Sequence, residues 1–282
     1  MLGLVLGGGA AKGYAHIGVI KFLEELNIKP DIVVGASMGS LIGGFYAKGF
    51  TAQKMEEIAL QIDKKKKKEL FRFQLSKKGF INGKNIVKFL KPYLGDTKIE
   101  ELPIKYAAVA TDIEENAEIV IDSGDLIQAI RSSIAIPVVF TPNKYEGRIL
   151  IDGGFISPVP VDVAMILGAG KIIAVNVLHR FEYPQIKMSA HQESGRKYNI
   201  KDIFIKTFDL ISSRLIEYDI KQLKNGVWID IDTRGIGLSQ FEKAKEAIER
   251  GYIQARKYKE KLLQLISAYE VNTNKQTRVI TE

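Results

Sequence analysis

Gly35-Ala36-Ser37-Met38-Gly39 lies between an apolar, β-branched run and a run of small residues. The run before it, residues 31–34, favours a short buried strand, and the run after it, residues 40–47, favours a closely packed helix. A strand, a sharp turn and a helix therefore meet at Ser37. Such a turn exposes a hydroxyl at the carboxyl end of the strand, beside a helix N-terminus whose partial positive charge stabilises an alkoxide or an oxyanion. Ser37 is the leading candidate for a nucleophile, and the two glycines of the stretch leave room for the tight backbone.

A glycine-rich run near the N-terminus belongs to the same unit. The residues Leu2–Leu6 favour a strand, Gly7-Gly8-Gly9-Ala10-Ala11-Lys12-Gly13 forms a loop, and the apolar spacing from Ala15 to Leu26 predicts a helix. With the strand before Ser37 this makes a β-α-β unit, which implies a parallel sheet whose ligands collect at the carboxyl ends of the strands. We therefore predict an α/β fold, a mostly parallel β-sheet flanked by helices.

The rest of the chain alternates between helix and strand patterns without an internal repeat. We expect one domain over residues 1–270 and a polar, frayed tail over residues 271–282. Residues 51–102 are helical and basic, and we interpret them as an insertion or cap over the site. Residues 179–199 are polar without periodicity, which makes them a candidate lid. Further helices are predicted at 53–62, 84–94, 125–132, 161–167, 200–223 and 240–266, and further strands at 104–111, 118–121, 148–151, 171–178 and 227–231.

Length and composition set broad limits on the class of protein. The composition, 46% hydrophobic and 26% charged, is that of an ordinary soluble globular protein, and 282 residues are within the range of one large α/β domain. There is no cysteine, which excludes disulfides, thiolate metal sites and cysteine nucleophiles. No apolar stretch approaches the roughly 20 residues of a membrane span, and the N-terminus lacks the basic region of a signal peptide. We expect a cytoplasmic protein.

The net charge of +8 is concentrated in one segment. Between Thr51 and Glu100 there are thirteen Lys or Arg residues and six Asp or Glu residues. The stretch from Lys64 to Phe73 places five consecutive lysines beside two phenylalanines, a composition that suits peripheral contact with an anionic membrane. A solvated helix end explains the same residues equally well. No nucleic-acid-binding module accompanies the run, so no nucleic acid partner is expected.

Acyl transfer by a serine needs a nucleophile, a base and donors for the tetrahedral oxyanion. The glycine loop presents backbone N–H groups without side chains in the way, so Gly8 and Gly9 are candidate donors, with the Met38 N–H as a third. A nucleotide site is the rival interpretation of the loop. It fits poorly, because a dinucleotide fingerprint needs glycine or alanine at Lys12 and a Walker loop needs Lys-Ser/Thr after Gly13.

The sequence offers two candidates for the base that takes the serine proton. His179 follows a predicted strand, and the order Ser37, Asp152, His179 is that of an α/β-hydrolase triad. Alternatively Asp152, which ends an apolar strand and precedes two glycines, acts directly on Ser37. The two other histidines are weaker candidates, because His16 lies on the first helix and His191 lies in a polar loop.

Four sequence blocks in order resemble the patatin-like phospholipase family. They are Gly7-Gly8-Gly9-Ala10-Ala11-Lys12-Gly13, Gly35-Ala36-Ser37-Met38-Gly39, Ser133-Ile134-Ala135-Ile136-Pro137-Val138-Val139-Phe140 and Asp152-Gly153-Gly154. The resemblance covers roughly residues 1–178 and leaves the basic insertion and the C-terminal hundred residues unmatched.

This resemblance implies a three-layer α/β/α serine acyl hydrolase that uses a Ser-Asp pair, without a histidine, a metal or a cofactor. Carried over by position, it implies Ser37 as nucleophile, Asp152 as base, Gly8 and Gly9 as oxyanion donors and Lys12 as the basic residue after the glycines. The expected substrate is a phospholipid or another fatty ester, met at an interface. A carboxylesterase or thioesterase is the alternative within enzymes, and a nucleotide- or phosphate-binding module, in which Ser37 only caps a helix, is the alternative outside them.

Overall fold

The protein folds around one mixed β-sheet. The computed structural model describes residues 1–62, 64–70, 83–178 and 199–267. The strands in these residues are β1 (Leu2–Leu6), β2 (Ile32–Ala36), β3 (Lys105–Asp112), β4 (Ala117–Ile121), β5 (Asn143–Tyr145), β6 (Arg148–Asp152), β7 (Lys171–Asn176) and β8 (Gly226–Asp230). The sheet order is β5-β6-β3-β2-β1-β7-β8, with β4 also paired to β3. The strands β3, β2, β1, β7 and β8 run parallel, whereas β4, β5 and β6 add antiparallel pairs.

Helices cover both faces of the sheet, which confirms the predicted α/β class. Alternate residues of β1 point to opposite sides: Leu4 and Leu6 join one hydrophobic cluster and Val5 joins the other. The helices are α1 (Ala15–Glu25), α2 (Met38–Ala47), α3 (Ala52–Leu60), α4 (Lys64–Leu70), α5 (Lys84–Leu94), α6 (Leu126–Ser133), α7 (Val161–Ile166), α8 (Ile200–Gln222) and α9 (Ala244–Arg256). The larger cluster contains residues of α1, α2, α3, α5, α6 and α9, and the smaller contains residues of α7 and Ile216 of α8.

The first helix is buried on nearly all sides because α9 packs closely across it. A Cβ on Gly18 would lie 1.9 Å from the Ile248 carbonyl oxygen, and a Cβ on Gly251 would lie 2.0 Å from the Ala15 carbonyl oxygen. Each helix therefore needs a glycine where it meets the other. The long helix predicted over 240–266 is divided: a 3-10 turn precedes α9, and helical residues 259–267 follow a turn at 257–258.

The described part of the basic segment packs into the main core. Met55 and Ile58 of α3 and Ile86 and Leu90 of α5 belong to the same cluster as the sheet residues. The phenylalanines of the Lys64 to Phe73 stretch lie outside the described residues.

Two further predicted regions also fall outside them: residues 179–198 of the candidate lid and the tail from 271. In the part of the chain that is described, no helix combines the length and the hydropathy required to cross a membrane.

The central strand β3 brings two distant parts of the chain together. Val109 pairs with Ala36, the last residue of β2, and the next residue, Ala110, pairs with Asp152 at the end of β6. The register of β3 therefore sets the carboxylate of Asp152 beside the residue that follows Ala36, which is Ser37.

Candidate active site

Ser37 lies on the sharp turn between β2 and α2. Its backbone has φ 53° and ψ −124°, a conformation that costs a non-glycine residue on the order of 1–3 kcal/mol. The flanking glycines are required by close approach: a Cβ on Gly35 would lie 2.4 Å from the Gly39 carbonyl carbon, and a Cβ on Gly39 would lie 1.9 Å from the Leu6 carbonyl oxygen. The predicted strand, turn and helix around Ser37 are confirmed.

The Ser37 hydroxyl contacts a buried carboxylate. Its Oγ donates a hydrogen bond to Asp152 Oδ2 at 2.6 Å, across 115 residues of sequence. The Ser37 side chain is 4% exposed and Asp152 is fully buried. Two of the residues singled out in the sequence are therefore in direct contact, and both side chains are buried.

The local fold holds Asp152 on several sides. The Gly154 N–H donates to Asp152 Oδ1 at 2.8 Å, and the Asp152 N–H donates to the Ala135 carbonyl at 3.1 Å. The first glycine of the block, Gly153, leaves room for β3, because a Cβ there would lie 2.1 Å from the Val109 carbonyl oxygen. The Asp152-Gly153-Gly154 block thus fixes the carboxylate through one amide and one close backbone contact.

Burial also changes the acidity of this carboxyl group. Desolvation raises the pKa of Asp152 to about 7, although the hydrogen bonds from Ser37 and Gly154 act in the opposite direction. An ordinary aspartate has a pKa near 4 and is a weak base toward a hydroxyl group. The pKa of Asp152 thus lies close to neutral pH.

Ser133 belongs to the site, although the sequence analysis gave it no role there. The Ser37 N–H donates to Ser133 Oγ at 2.9 Å, and Ser133 Oγ donates to the Val109 carbonyl at 2.6 Å. A serine in an apolar proline-containing block gave no signal for this role, since its partners are 96 and 24 residues away. The segment from Ser133 to Ala135 thus holds both Ser37 and Asp152 through hydrogen bonds.

The glycine loop lies against Ser37, and two of its amides donate to backbone carbonyls. The Gly8 N–H donates to the Pro158 carbonyl at 2.8 Å, and the Gly7 N–H donates to the Val175 carbonyl at 3.0 Å. Gly8 is a direct neighbour of Ser37, because a Cβ at position 8 would lie in van der Waals contact with the Ser37 Cβ, at 3.4 Å. Among the described residues, the N–H groups of Gly9 and Met38 have no hydrogen-bond acceptor. The Gly8 N–H, which the sequence analysis expects to be an oxyanion donor, is thus bonded to a backbone carbonyl in this structure.

The turn after the glycines is held by contacts with α1 and α2. The Nε2 of His16 hydrogen-bonds to the Gly7 carbonyl at 2.8 Å, which requires this nitrogen to carry the proton. Gly13 allows Met38 to approach, since a Cβ on Gly13 would lie 2.4 Å from Met38 Cγ. Burial lowers the pKa of Lys12, and the negative charge of Asp209 partly offsets that shift. His179 and His191, the other histidines, lie outside the described residues.

An apolar cavity opens beside the turn that carries Ser37. It lies between α2, α3, α4 and α5, and Met38 and Tyr14 belong to its wall. Its lining is almost wholly hydrocarbon, and further members of the wall are Ile42, Phe45, Met55, Ile58, Leu70 and Phe89. The predicted basic insertion therefore contributes apolar side chains to a cavity next to Met38.

The helix α8 packs on the other side of the Asp152 block. The rings of Phe155 and Phe208 have centroids 4.7 Å apart, and Phe208 lies against the position of Gly154. Further along α8, Asp219 Oδ2 accepts a hydrogen bond from the Val159 N–H at 2.9 Å. Neither side chain carries a motif, so the sequence alone did not connect α8 with the site.

Comparison with known proteins adds independent information. A stretch of 177 residues is 37% identical to an uncharacterized NTE family protein of Mycobacterium tuberculosis, covering 62% of this chain and 48% of that protein. A stretch of 179 residues is 32% identical to a lysophospholipase NTE1 of Scheffersomyces stipitis, covering 62% of this chain and 12% of that protein. This chain thus matches about half of the mycobacterial relative and a small part of the yeast one.

A solved structure, VipD from Legionella pneumophila, is 16% identical with a TM-score of 0.47, over 95% of this chain and 66% of that one. The sequence profile of the patatin-like phospholipase family matches residues 4–165, which is more than half of the chain and includes Ser37, Asp152 and the glycine loop. This chain therefore belongs to the patatin-like phospholipase family.

Proposed function

We propose that this protein is a lipid acyl hydrolase in which Ser37 is the nucleophile and Asp152 the general base. The observation that carries the proposal is the 2.6 Å hydrogen bond from Ser37 Oγ to Asp152 Oδ2 in a buried site. The raised pKa of Asp152, about 7, supports it, because a base whose pKa lies near neutrality accepts a serine proton more readily than an ordinary carboxylate.

The proposed reaction has two halves. Ser37 Oγ attacks the acyl carbonyl carbon while its proton passes to Asp152 Oδ2, which gives a tetrahedral intermediate. The intermediate collapses, the bond to the alcohol oxygen breaks, and that oxygen takes the proton from Asp152. A water molecule then gives its proton to the same carboxylate and attacks the acyl-serine. The fatty acid leaves, and Ser37 recovers its proton.

The proposed oxyanion donors are the N–H groups of Gly9 and Met38. Both lack an acceptor among the described residues, and Met38 begins α2, where the helix dipole adds positive potential. Each such donor contributes about 2.7–4 kcal/mol to the stability of an oxyanion transition state.

The apolar cavity is the proposed site for the acyl chain. Met38 belongs both to its wall and to the proposed oxyanion hole, so a chain in the cavity begins next to the reacting carbonyl. A hydrocarbon lining favours a fatty chain over a short polar acid because burial stabilises each methylene by about 0.8 kcal/mol. This favours a lipid substrate over the small esters of a carboxylesterase.

The substrate class that we propose is a phospholipid or lysophospholipid. The yeast relative named a lysophospholipase supports it. We also propose that the stretch from Lys64 to Phe73 contacts anionic lipid peripherally; in its described part, Lys65 is exposed and Lys66 pairs with Glu69 at 3.2 Å. Binding to anionic vesicles should then weaken with salt and with neutralisation of the lysines.

The proposal is tested by fluorophosphonate labelling together with turnover of phospholipids, lysophospholipids and short p-nitrophenyl esters. We expect a covalent adduct on Ser37 and hydrolysis of the lipids, both lost in Ser37→Ala. Absence of an adduct would favour a binding module, and turnover of short esters alone would favour a carboxylesterase. The His179→Ala variant should retain most of its activity; its loss in a folded protein would contradict Asp152 as the direct base.

A further inference from the structure

The helix α8 carries a row of exposed apolar side chains on the side facing away from the sheet. Ile200, Ile203, Leu210, Ile211 and Tyr218 are between 43% and 79% exposed. Relative to Ile203, Ile200 lies three residues before it, and Leu210, Ile211 and Tyr218 lie seven, eight and fifteen residues after it. At 3.6 residues per turn these positions fall on one side of the helix. We call this row, together with the charged side chains beside it, the outer face of α8.

The charged side chains that the structure describes on α8 are sorted by exposure. Lys206, Arg214 and Lys221 are exposed, whereas Asp219 is buried and Asp209 and Glu217 are half-buried. Among the α8 side chains that the structure describes, those that are exposed and charged are therefore all cationic. This combination of apolar and cationic groups is typical of helices that lie in the interface of an anionic membrane.

The inner face of α8 is fixed to the catalytic region. Phe208 packs on Phe155 and against Gly154, and Asp219 accepts the Val159 N–H. The outer face is thus held on a helix whose other side contacts the Asp152 block. A partner that binds the outer face of α8 therefore also fixes the orientation of the Ser37–Asp152 site relative to that partner.

On the basis of the proposed lipid hydrolysis, we infer that the outer face of α8 docks onto an anionic lipid bilayer. The apolar side chains enter the interface, and Arg214 and Lys221 contact lipid phosphate groups. A second copy of the chain fits less well, because a two-fold pairing of this face brings like charges together. The docking surface is distinct from the Lys64 to Phe73 stretch, so the two can be separated by mutation.

The test is vesicle flotation with the Ser37→Ala protein, so that no lipid is consumed. The vesicles are phosphatidylcholine, alone or mixed with phosphatidylglycerol. We expect binding to the mixed vesicles, reduced on the order of tenfold or more by Leu210→Asp with Ile211→Asp, and reduced by Arg214→Gln with Lys221→Gln. The matched control is Ile166→Asp, which changes an exposed isoleucine on α7 and should bind as the parent does.

Three results would overturn the inference. They are equal binding by the parent and the α8 variants, loss of binding only when Lys65 and Lys66 are neutralised, and self-association of the parent that the α8 variants abolish. The α8 substitutions in the active protein should leave turnover of a short soluble ester unchanged. Failure of docking is therefore distinguishable from failure of the proposed hydrolysis, which Ser37→Ala tests on the same soluble ester.

Discussion

Asp152 and Asp219 are two buried carboxyl groups with different surroundings. Their exposed fractions are 0% and 4%, and each accepts a hydrogen bond from a backbone N–H, of Gly154 and Val159 respectively. Burial raises the pKa of Asp152 to about 7 and that of Asp219 to about 8. Only Asp152 also accepts a hydrogen bond from a hydroxyl group on a strained turn. Burial and a raised pKa are therefore insufficient to identify a base.

The two groups also differ in the causes of their shifts. The pKa of Asp219 is raised by burial and then by the nearby charges of Asp162 and Glu118, so it belongs to an acidic cluster. The pKa of Asp152 is raised by burial alone and lowered by its hydrogen bonds. The first is a structural carboxyl that holds residue 159, and the second is held at a position where it can exchange a proton with Ser37.

The largest expected effect is on activity. Asp152→Asn should reduce kcat by about 10²–10⁴-fold, the usual contribution of a general base. Asp219→Asn, which keeps the acceptor for Val159, should leave kcat within about threefold, because it touches none of the reacting atoms. Steady-state kinetics on a lysophospholipid and on a short ester measure both. Comparable losses in the two folded variants would contradict the assignment of Asp152 as base.

The next effect is on the pH dependence of the rate. The base must be ionised, so kcat/KM should be low in acid and rise with pH through an apparent pKa near 7, the value of Asp152. Asp219→Asn should leave this rising limb in place. A profile that is flat between pH 5 and 9 would show that ionisation of Asp152 does not limit the reaction.

A smaller effect is expected from the serine that holds the Ser37 turn. Ser133→Ala removes the acceptor of the Ser37 N–H and so loosens the turn that positions Ser37 Oγ. Because rates fall when a reacting atom is misplaced, kcat should fall by about tenfold with little change in KM. The matched control is Ser132→Ala. The Ser132 hydroxyl donates to Gln128 and accepts from Asn143, so this change should affect stability and not kcat. Equal losses of kcat would show that Ser133 acts only through stability.

The smallest effect concerns stability and should be shared by both carboxyls. The pKa of each carboxyl is raised in the folded protein. The contribution of each group to stability is therefore fully present below about pH 4 and is lost as the pH rises through about 7 for Asp152 and about 8 for Asp219. Asp152→Asn and Asp219→Asn each remove a carboxyl that ionises at high pH. The free energy of unfolding of each variant, relative to the parent, should therefore be higher at pH 9 than at pH 5, by on the order of 1–3 kcal/mol. Urea unfolding at the two pH values measures this. A gain that is larger at pH 5 would have the wrong sign.

The sequence predicted the parts of the site that depend on local pattern. The turn at Ser37, the loop at Gly7 and the glycines after Asp152 were recognisable because each needs glycine within a few residues of a strand end. The sheet class followed from the β-α-β unit. The short strand β5 was missed because three residues of an edge hairpin carry too little alternation.

Local sequence patterns could not predict the contacts between distant segments. Ser133, Phe208 and Asp219 meet their partners across the fold, and a buried aspartate on a helix resembles a surface residue in sequence. The Gly8 N–H donates to the carbonyl of Pro158, a residue 150 positions later in the chain. Local sequence pattern therefore could not predict that this N–H has a backbone acceptor. The preference for Asp152 over His179 as the candidate base rested only on the family resemblance.

The pairing of Val109 and Ala110 with the two halves of the site has a consequence for biosynthesis. Ser37 and Asp152 are separated by 115 residues, so at about 5–20 residues per second the ribosome makes the serine roughly 6–23 s before the carboxylate. During that interval the nascent chain carries the proposed nucleophile without its base. If the proposed chemistry holds, a partly made chain cannot attack lipid, and hydrolysis begins only once β6 has joined β3.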